Sequence, residues 1–210
     1  FGTLMTPELR EGTRGKEGGD AYKQVIRQLG KDGWLALGWP REYGGQGRKY
    51  SEQLVFFEEA QLAEVPLPFV TINTVAPALI ALGSEEHKRF FLPKIAAGEL
   101  HFAIGYTEPG AGTDLAALKT SAVRDGDEYV INGSKIWTSS AEAADYIWLA
   151  ARTDPEAKPQ HKGITIFMVD AKQPGFSFTP LHTVRGVRSH ASYYDNVRVP
   201  APLIVGELNG

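Results

Sequence analysis

Ala103-Ile104-Gly105-Tyr106-Thr107-Glu108-Pro109-Gly110-Ala111-Gly112-Thr113-Asp114 is the stretch at which the chain changes pattern. It starts as an apolar, strand-like run that ends in a hydroxyl at Thr107. Pro109, Gly110 and Gly112 then allow a tight turn and a close approach of backbone to a ligand, and Thr113 and Asp114 follow. On the residues alone two readings stand: amides and hydroxyls facing a polar cofactor, or a turn whose hydroxyls cap their own backbone.

Upstream of this stretch the apolar spacing is helical. Residues 1–19 are polar and Gly-rich, without the pattern of a secretory signal. Asp20 can cap a helix in which Tyr22, Val25, Ile26 and Leu29 recur at i, i+3, i+4 and i+7, with Gly30 and Gly33 ending it. Residues 33–47 hold Trp34, Trp39 and Pro40 among glycines and read as an ordered loop with an aromatic anchor. Ser51 can cap a second helix, to about Glu64, whose run Leu54-Val55-Phe56-Phe57 is apolar on more than one face, so burial between other helices is expected. A third helical stretch over 70–82 must begin or kink at Pro77. Gly83 and Ser84 then punctuate a fourth, from Glu85 to about Ala97.

Downstream the runs are short and rich in β-branched and aromatic residues. Strands are expected at 101–107, 119–124, 129–131, 135–139, 146–152, 163–169, 176–179 and 192–199. Asp125-Gly126-Asp127 and Asn132-Gly133 serve as turns, the latter as a two-residue hairpin turn. The link 153–162, with Pro155 and Pro159, reads as a surface loop. The fold class is therefore α+β: an N-terminal all-α helical domain over 1–100, an antiparallel β-sandwich or barrel over 101–205, and the start of a linker at 206–210.

Composition narrows the function. A net charge of -3 gives no basic field for nucleic acid or an anionic membrane, so neither is expected as a partner. With no cysteine there are no disulfides, thiolate metal sites or cysteine nucleophile, which fits a reducing compartment. His87, His101, His161, His182 and His190 lack metal-ligand spacing, and no metal is expected. Glu108 and Asp114 resemble a pair of catalytic carboxylates, but both flank a tight turn and are read as structural. On residue type alone Trp137 reads as a core residue, and His190, Tyr193 and Tyr194 as part of a strand with one buried face.

The run Tyr106–Asp114 closely resembles the flavin-binding signature of the acyl-CoA dehydrogenases. Tyr106 departs from it, standing where the family usually has a small or medium aliphatic residue, and Thr113 stands where serine is common. Asn132-Gly133-Ser134-Lys135-Ile136-Trp137-Thr138-Ser139 resembles the family's Asn-Gly-x-Lys-x-Trp-Ile-Thr, with Ser139 in place of its last threonine. The Trp-Pro-x-Glu-Tyr-Gly-Gly passage at 39–45 and Arg185-Gly186-Val187-Arg188, similar to a Gly-x-Arg late in the family's β-domain, extend the likeness along the chain.

The resemblance implies FAD as cofactor, bound without a Rossmann Gly-x-Gly-x-x-Gly, which this chain lacks. Ile104, Gly105, Tyr106, Thr107, Gly112 and Thr113 would then supply backbone and hydroxyl contacts to the flavin ring and pyrophosphate. Thr107 would reach the pyrimidine edge, and Thr113 would also meet the substrate's pantetheine arm. Trp137 would lie against the ring, with Thr138 beside it and the Ser139 hydroxyl on N5. Trp148 is expected to lie away from the site and to matter through stability.

The implied reaction is α,β-dehydrogenation of an acyl-CoA thioester to 2-enoyl-CoA, with hydride passing to flavin N5. No catalytic residue is assigned within the chain. In the family the base sits in a C-terminal helical domain, so the 210 residues by themselves are expected to be inactive. Implied partners are the acyl-CoA substrate, an electron-transfer flavoprotein, the C-terminal domain and neighbouring subunits in a dimer or tetramer, with a bacterial cytoplasm favoured over a mitochondrial matrix. The alternatives are an acyl-CoA oxidase or flavin monooxygenase on the same scaffold, or a non-catalytic subunit of a hetero-oligomeric dehydrogenase.

Overall fold

A computed structural model of the chain describes residues 1–14, 18–184 and 188–209. The chain divides into two compact units, Phe1–His101 and Phe102–Val184 with Arg188–Gly210. The first is helical. The second is an eight-stranded, mostly antiparallel sheet, so the molecule is α+β.

In the helical unit, α1 (Pro7–Thr13) forms in the polar stretch that gave no helical period. Thr6 caps it by accepting from the Leu9 amide at 3.3 Å, and Pro7 occupies the first turn, where no N–H is needed. α2 (Asp20–Lys31) buries Tyr22, Val25, Ile26 and Leu29 as its period requires; Gly19 rather than Asp20 is the N-cap, and Asp20 lies in the first turn. Gly30 lies within the helix instead of ending it, and glycine is needed there because a Cβ would come 2.4 Å from the Ala97 backbone. The aromatic loop is anchored as its composition implies, with Trp39 buried and Trp34 stacked on Phe56 at 5.5 Å.

α3 (Tyr50–Leu62) corrects the expectation of a helix buried on several faces. It buries Phe56 and Ala60, while Tyr50, Leu54, Val55 and Leu62 are exposed. A single helix of this unit can be covered only where a neighbour lies against it, and here Phe56 and Ala60 make that contact. A π-helical turn, Val70–Val75, precedes α4 (Ala76–Leu82); Pro77 has no N–H to give to the preceding turn, which is wound wider. Ser84 caps α5 (Glu85–Ala96) by accepting from the His87 amide at 3.1 Å.

The sheet comprises β1 (Phe102–Gly105), β2 (Ser121–Asp125), β3 (Glu128–Lys135), β4 (Tyr146–Arg152), β5 (Ile164–Asp170), β6 (Phe176–His182), β7 (Arg188–Pro200) and β8 (Ile204–Val205). Their order is β6-β7-β3-β2-β4-β5-β8, with β1 paired to β4. β1 runs parallel to β4, and β2 meets β4 in parallel at Ser121 and Arg152, so the sheet is not purely antiparallel. The long excursion from β1 to β4 permits this, since parallel neighbours cannot be joined by a tight turn. Ile131, Ile147, Leu149, Phe167, Val169 and Val197 are fully buried in its main core.

Asp125-Gly126-Asp127 makes the β2–β3 hairpin turn, with Gly126 at φ +63°. Asn132-Gly133 does not make a turn. β3 runs straight through it with a bulge between Ile131 and Gly133, so the two short strands expected at 129–131 and 135–139 are one, ending at Lys135. The Asn132 Oδ1 accepts from the Asn196 amide on β7 at 2.9 Å, and Gly133, at φ +152°, passes so close to Thr120 that a Cβ would sit 2.5 Å from its hydroxyl. A bulge uses the same glycine freedom as a hairpin turn, which is why the dipeptide misleads.

Candidate functional site

Both sequence motifs leave strands of the sheet unit and are joined by one backbone bond. The Ile136 amide donates to the Thr107 carbonyl at 2.8 Å, so the segment after β1 and the segment after β3 run side by side. Ile104 is part-buried on β1, in register with Trp148 on β4. Gly105 is buried, and a Cβ there would stand 3.0 Å from Leu149 and from the Tyr194 hydroxyl, so close packing favours glycine. The turn that follows is closed by reciprocal bonds between Glu108 and Ala111. The turn closes without left-handed backbone at Gly110 or Gly112, and nothing lies within 4 Å of where a Cβ would be at either. Their contribution is open space beside exposed amides.

Glu108 is buried beneath this turn. Its carboxylate accepts from the Lys119 amide at 2.8 Å, the Thr120 amide at 2.8 Å, the Thr120 hydroxyl at 2.6 Å and Lys135 Nζ at 2.9 Å. Burial alone would raise its pKa, but the Thr120 hydroxyl, Lys135 and the two amides outweigh burial and hold it at about 2. Lys135 is fully buried, and burial pushes its ammonium below the ordinary lysine value although Glu108 opposes this. Its second bond, 3.1 Å to the Tyr106 carbonyl, locks the first motif to the second. Glu108 is thus structural, as read from the sequence, while Asp114 is exposed.

Tyr106 is part-buried, and burial raises its phenol's pKa while a hydrogen bond from Trp148 opposes the rise. Trp148 Nε1 donates to the Tyr106 hydroxyl at 2.9 Å. Trp148 therefore touches the first motif directly, which corrects the expectation that it lies away from the site. Sequence could not supply this pairing, because it depends on β1 lying beside β4. The aromatic departure at 106 and a tryptophan on a strand were its available signals.

In the second motif Trp137 is 59% exposed and so is not a core residue. Its backbone is left-handed, φ +64°, a rare state for a bulky side chain. Ser139 is exposed, as is Thr113, and Thr107 is part-buried. Thr138 is fully buried, with its hydroxyl 3.0 Å from that of Ser192 on β7. The sheet unit thus gathers Ile104, Gly105, Tyr106, Thr107, Trp137, Thr138 and Ser139 along adjoining segments, with Gly112 and Thr113 on the exposed turn.

Arg152 is a residue that sequence reading passed over. It donates to the carbonyls of Leu118 at 3.0 Å and Gln160 at 3.0 Å, and to that of Ala116, so one side chain fixes the segment after Thr113. On β7, His190 and Tyr194 are buried and Tyr193 is exposed, the one-faced strand anticipated. Arg185-Gly186-Val187 lies outside the described residues. Among the described residues no cluster of metal-ligating side chains occurs, and no helix is long and apolar enough to cross a membrane.

Residues 5–99 match the acyl-CoA dehydrogenase N-terminal domain and residues 103–197 the acyl-CoA dehydrogenase middle domain. The chain belongs to the acyl-CoA dehydrogenase family. Acyl-CoA dehydrogenase FadE26 of Mycobacterium tuberculosis is 57% identical over all of this chain and 54% of its own length. Among solved structures, the ChsE4-ChsE5 complex of the same organism contains a chain with a TM-score of 0.94 and 58% identity, covering 99% of this chain and 53% of that one. The Tcur3481-Tcur3483 steroid ACAD matches at 0.94 and 58%, covering 100% and 54%. The chain spans about half the length of the relatives it matches.

Proposed function

We propose that these residues are the cofactor-presenting part of an FAD-dependent acyl-CoA dehydrogenase that converts an acyl-CoA thioester to its 2-enoyl-CoA. The observation that carries the reading is the Ile136–Thr107 bond, which sets the two motifs edge to edge with Trp137, Ser139 and Thr113 open to a ligand. An exposed aromatic face, several hydroxyls and a glycine turn with free space beside it form a donor set that fits a flavin and its phosphates. The residues that would hold it are Ile104, Gly105, Tyr106, Thr107, Gly112, Thr113, Trp137, Thr138 and Ser139. Bound flavin supplies the two-electron acceptor that no side chain provides.

The chain's own part is binding and electrostatic preorganisation. Thr107 and Ser139 offer hydroxyl donors on segments already fixed by backbone bonds, so charge developing nearby is stabilised without reorganisation. Thr113 would also meet the pantetheine arm of the acyl-CoA. Glu108 does not serve as the base: with four donors on its carboxylate it binds a proton far too weakly to work near neutral pH. Removal of the α-proton is assigned to a carboxylate outside these residues.

The substrate class we favour is a steroid-bearing acyl-CoA, on the strength of the steroid ACAD relative at 58% identity. Electrons would pass on to an electron-transfer flavoprotein. Both solved relatives, ChsE4-ChsE5 and Tcur3481-Tcur3483, carry paired names, which favours assembly with a second, different chain. The same observation supports a second reading, in which this chain lends its scaffold to an active partner.

Anaerobic addition of steroid-linked and straight-chain acyl-CoAs to the intact protein, alone and with any co-purifying chain, tests both. Loss of visible flavin absorbance with formation of 2-enoyl-CoA supports the dehydrogenase. Retained flavin that no thioester bleaches, in a chain whose partner is bleached, supports the scaffold reading. Oxygen consumption in place of dye reduction would mark an oxidase.

A further inference from the structure

The loop 136–145 carries Trp137 and Ser139, and its backbone is left-handed at Trp137, φ +64°, and at Ser140, φ +59°. Neither side chain favours that conformation, so something must hold it. Thr138 lies between them and is fixed on three sides. Its amide donates to the His190 carbonyl at 3.0 Å, its carbonyl meets His190 Nδ1 at 3.1 Å, and its hydroxyl lies 3.0 Å from that of Ser192. Thr138, His190 and Ser192 are all fully buried.

His190 also faces the far part of the same loop. Glu142 Oε2 lies 3.8 Å from His190 Nε2, which has no hydrogen bond of its own, and 3.3 Å from Arg188 Nη1. Phe178 packs edge-on to the imidazole at 5.1 Å and confines the ring. A carbonyl and a carboxylate both only accept, so Nδ1 carries the hydrogen that binds Thr138, and Glu142 draws the remaining edge through a second hydrogen on Nε2.

We propose that His190 is the positioning residue for this loop, oriented by Glu142, and that the clasp sets Trp137 and Ser139 toward the cofactor. Arg188 keeps Glu142 within reach. The clasp is a property of the chain alone; that it serves a cofactor rests on the proposed function, and the test separates the two.

Amide hydrogen exchange of the intact protein without cofactor reads the clasp directly, with the β2–β3 hairpin as internal reference. His190→Leu is expected to speed exchange over 137–145 by roughly tenfold relative to the hairpin, because the loop opens locally. His190→Asn, whose amide can stand in for Nδ1, should restore much of the protection. Glu142→Ala should speed exchange in the same segment and leave the hairpin unchanged.

Exchange that rises equally everywhere in His190→Leu, or no rescue by asparagine, would overturn the proposal. If His190→Leu does not fold, Glu142→Ala decides, and unchanged loop exchange overturns it. With FAD bound, Trp137→Ala should shift the visible flavin spectrum and His190→Leu should shift it in the same sense. A loop freed by His190→Leu beside a flavin spectrum indifferent to Trp137→Ala would leave the clasp standing and remove its role toward the cofactor. A spectrum moved by Trp137→Ala but not by His190→Leu would overturn the proposal.

Discussion

A buried Glu–Lys pair ties the two motifs together, and its energetics follow from how its charges are satisfied. Replacing one partner of such a pair strands the other's charge, so Glu108→Gln is expected to destabilise the protein by about 3–5 kcal/mol in denaturant unfolding. Adding Lys135→Met should recover part of that loss. The folded state holds Glu108 at about 2 against its ordinary 4.5, so between those values the unfolded chain binds more protons. The pair's stabilisation is thus fully present above pH 4.5 and is lost as pH falls through about 2; the gap in unfolding midpoint between wild type and Glu108→Gln should narrow over that window. Trp148 makes a second residue-level test. Trp148 is buried, so Tyr106→Phe leaves its indole N–H unpaired at about 1–3 kcal/mol, and Tyr106→Phe with Trp148→Phe should cost less than the two single changes summed. That Glu108 is structural could be read from its place in a glycine turn. Its partner could not, because a contact spanning 27 residues is made by strand order rather than by local pattern.

Among the elements, those with a strong period were legible: α2 buries the four residues its spacing selects, and α5 begins at the Ser84 cap. What failed in the sequence were features set by neighbours. α1 has too short an apolar pattern to register and stands on its Thr6 cap and Pro7. α3 reads as buried because its sequence is apolar, yet exposure depends on what lies against it. Asn132-Gly133 has the composition of a hairpin turn, and only the approach of Thr120 and the bond to Asn196 reveal a bulge. Gly133→Ala tests this at the level of the strand. A turn glycine with open space would tolerate alanine at about 1 kcal/mol, whereas the bulge forces a Cβ into Thr120 and should cost roughly 2 kcal/mol or more in thermal unfolding. The Ile136–Thr107 bond crosses just beyond that bulge, so flavin affinity should fall together with stability.

Across the whole molecule the two-part architecture was visible in the switch from helical to strand periodicity near residue 101, because that switch is a property of spacing and not of packing. The chain has no cysteine and no histidine within either flavin-like motif, so a thioether or histidyl link to a flavin has no attachment point there. On the proposed function, acid precipitation of the flavin-loaded intact protein is expected to release all of the flavin, and flavin left in the pellet would contradict the proposed binding mode. One further consequence concerns biosynthesis. The loop bearing Trp137 is seated by side chains on β7, with the Thr138–Ser192 contact spanning 54 residues. Such distant contacts form late, after the intervening chain has closed. On the ribosome, then, the first motif and Trp137 emerge long before the strand that fixes their geometry. A nascent chain ending before Ser192 has both signatures and still cannot hold their geometry, so on the proposed function cofactor loading waits on β7, and a ribosomal stall anywhere in that interval yields a product with the right letters and an unformed loop.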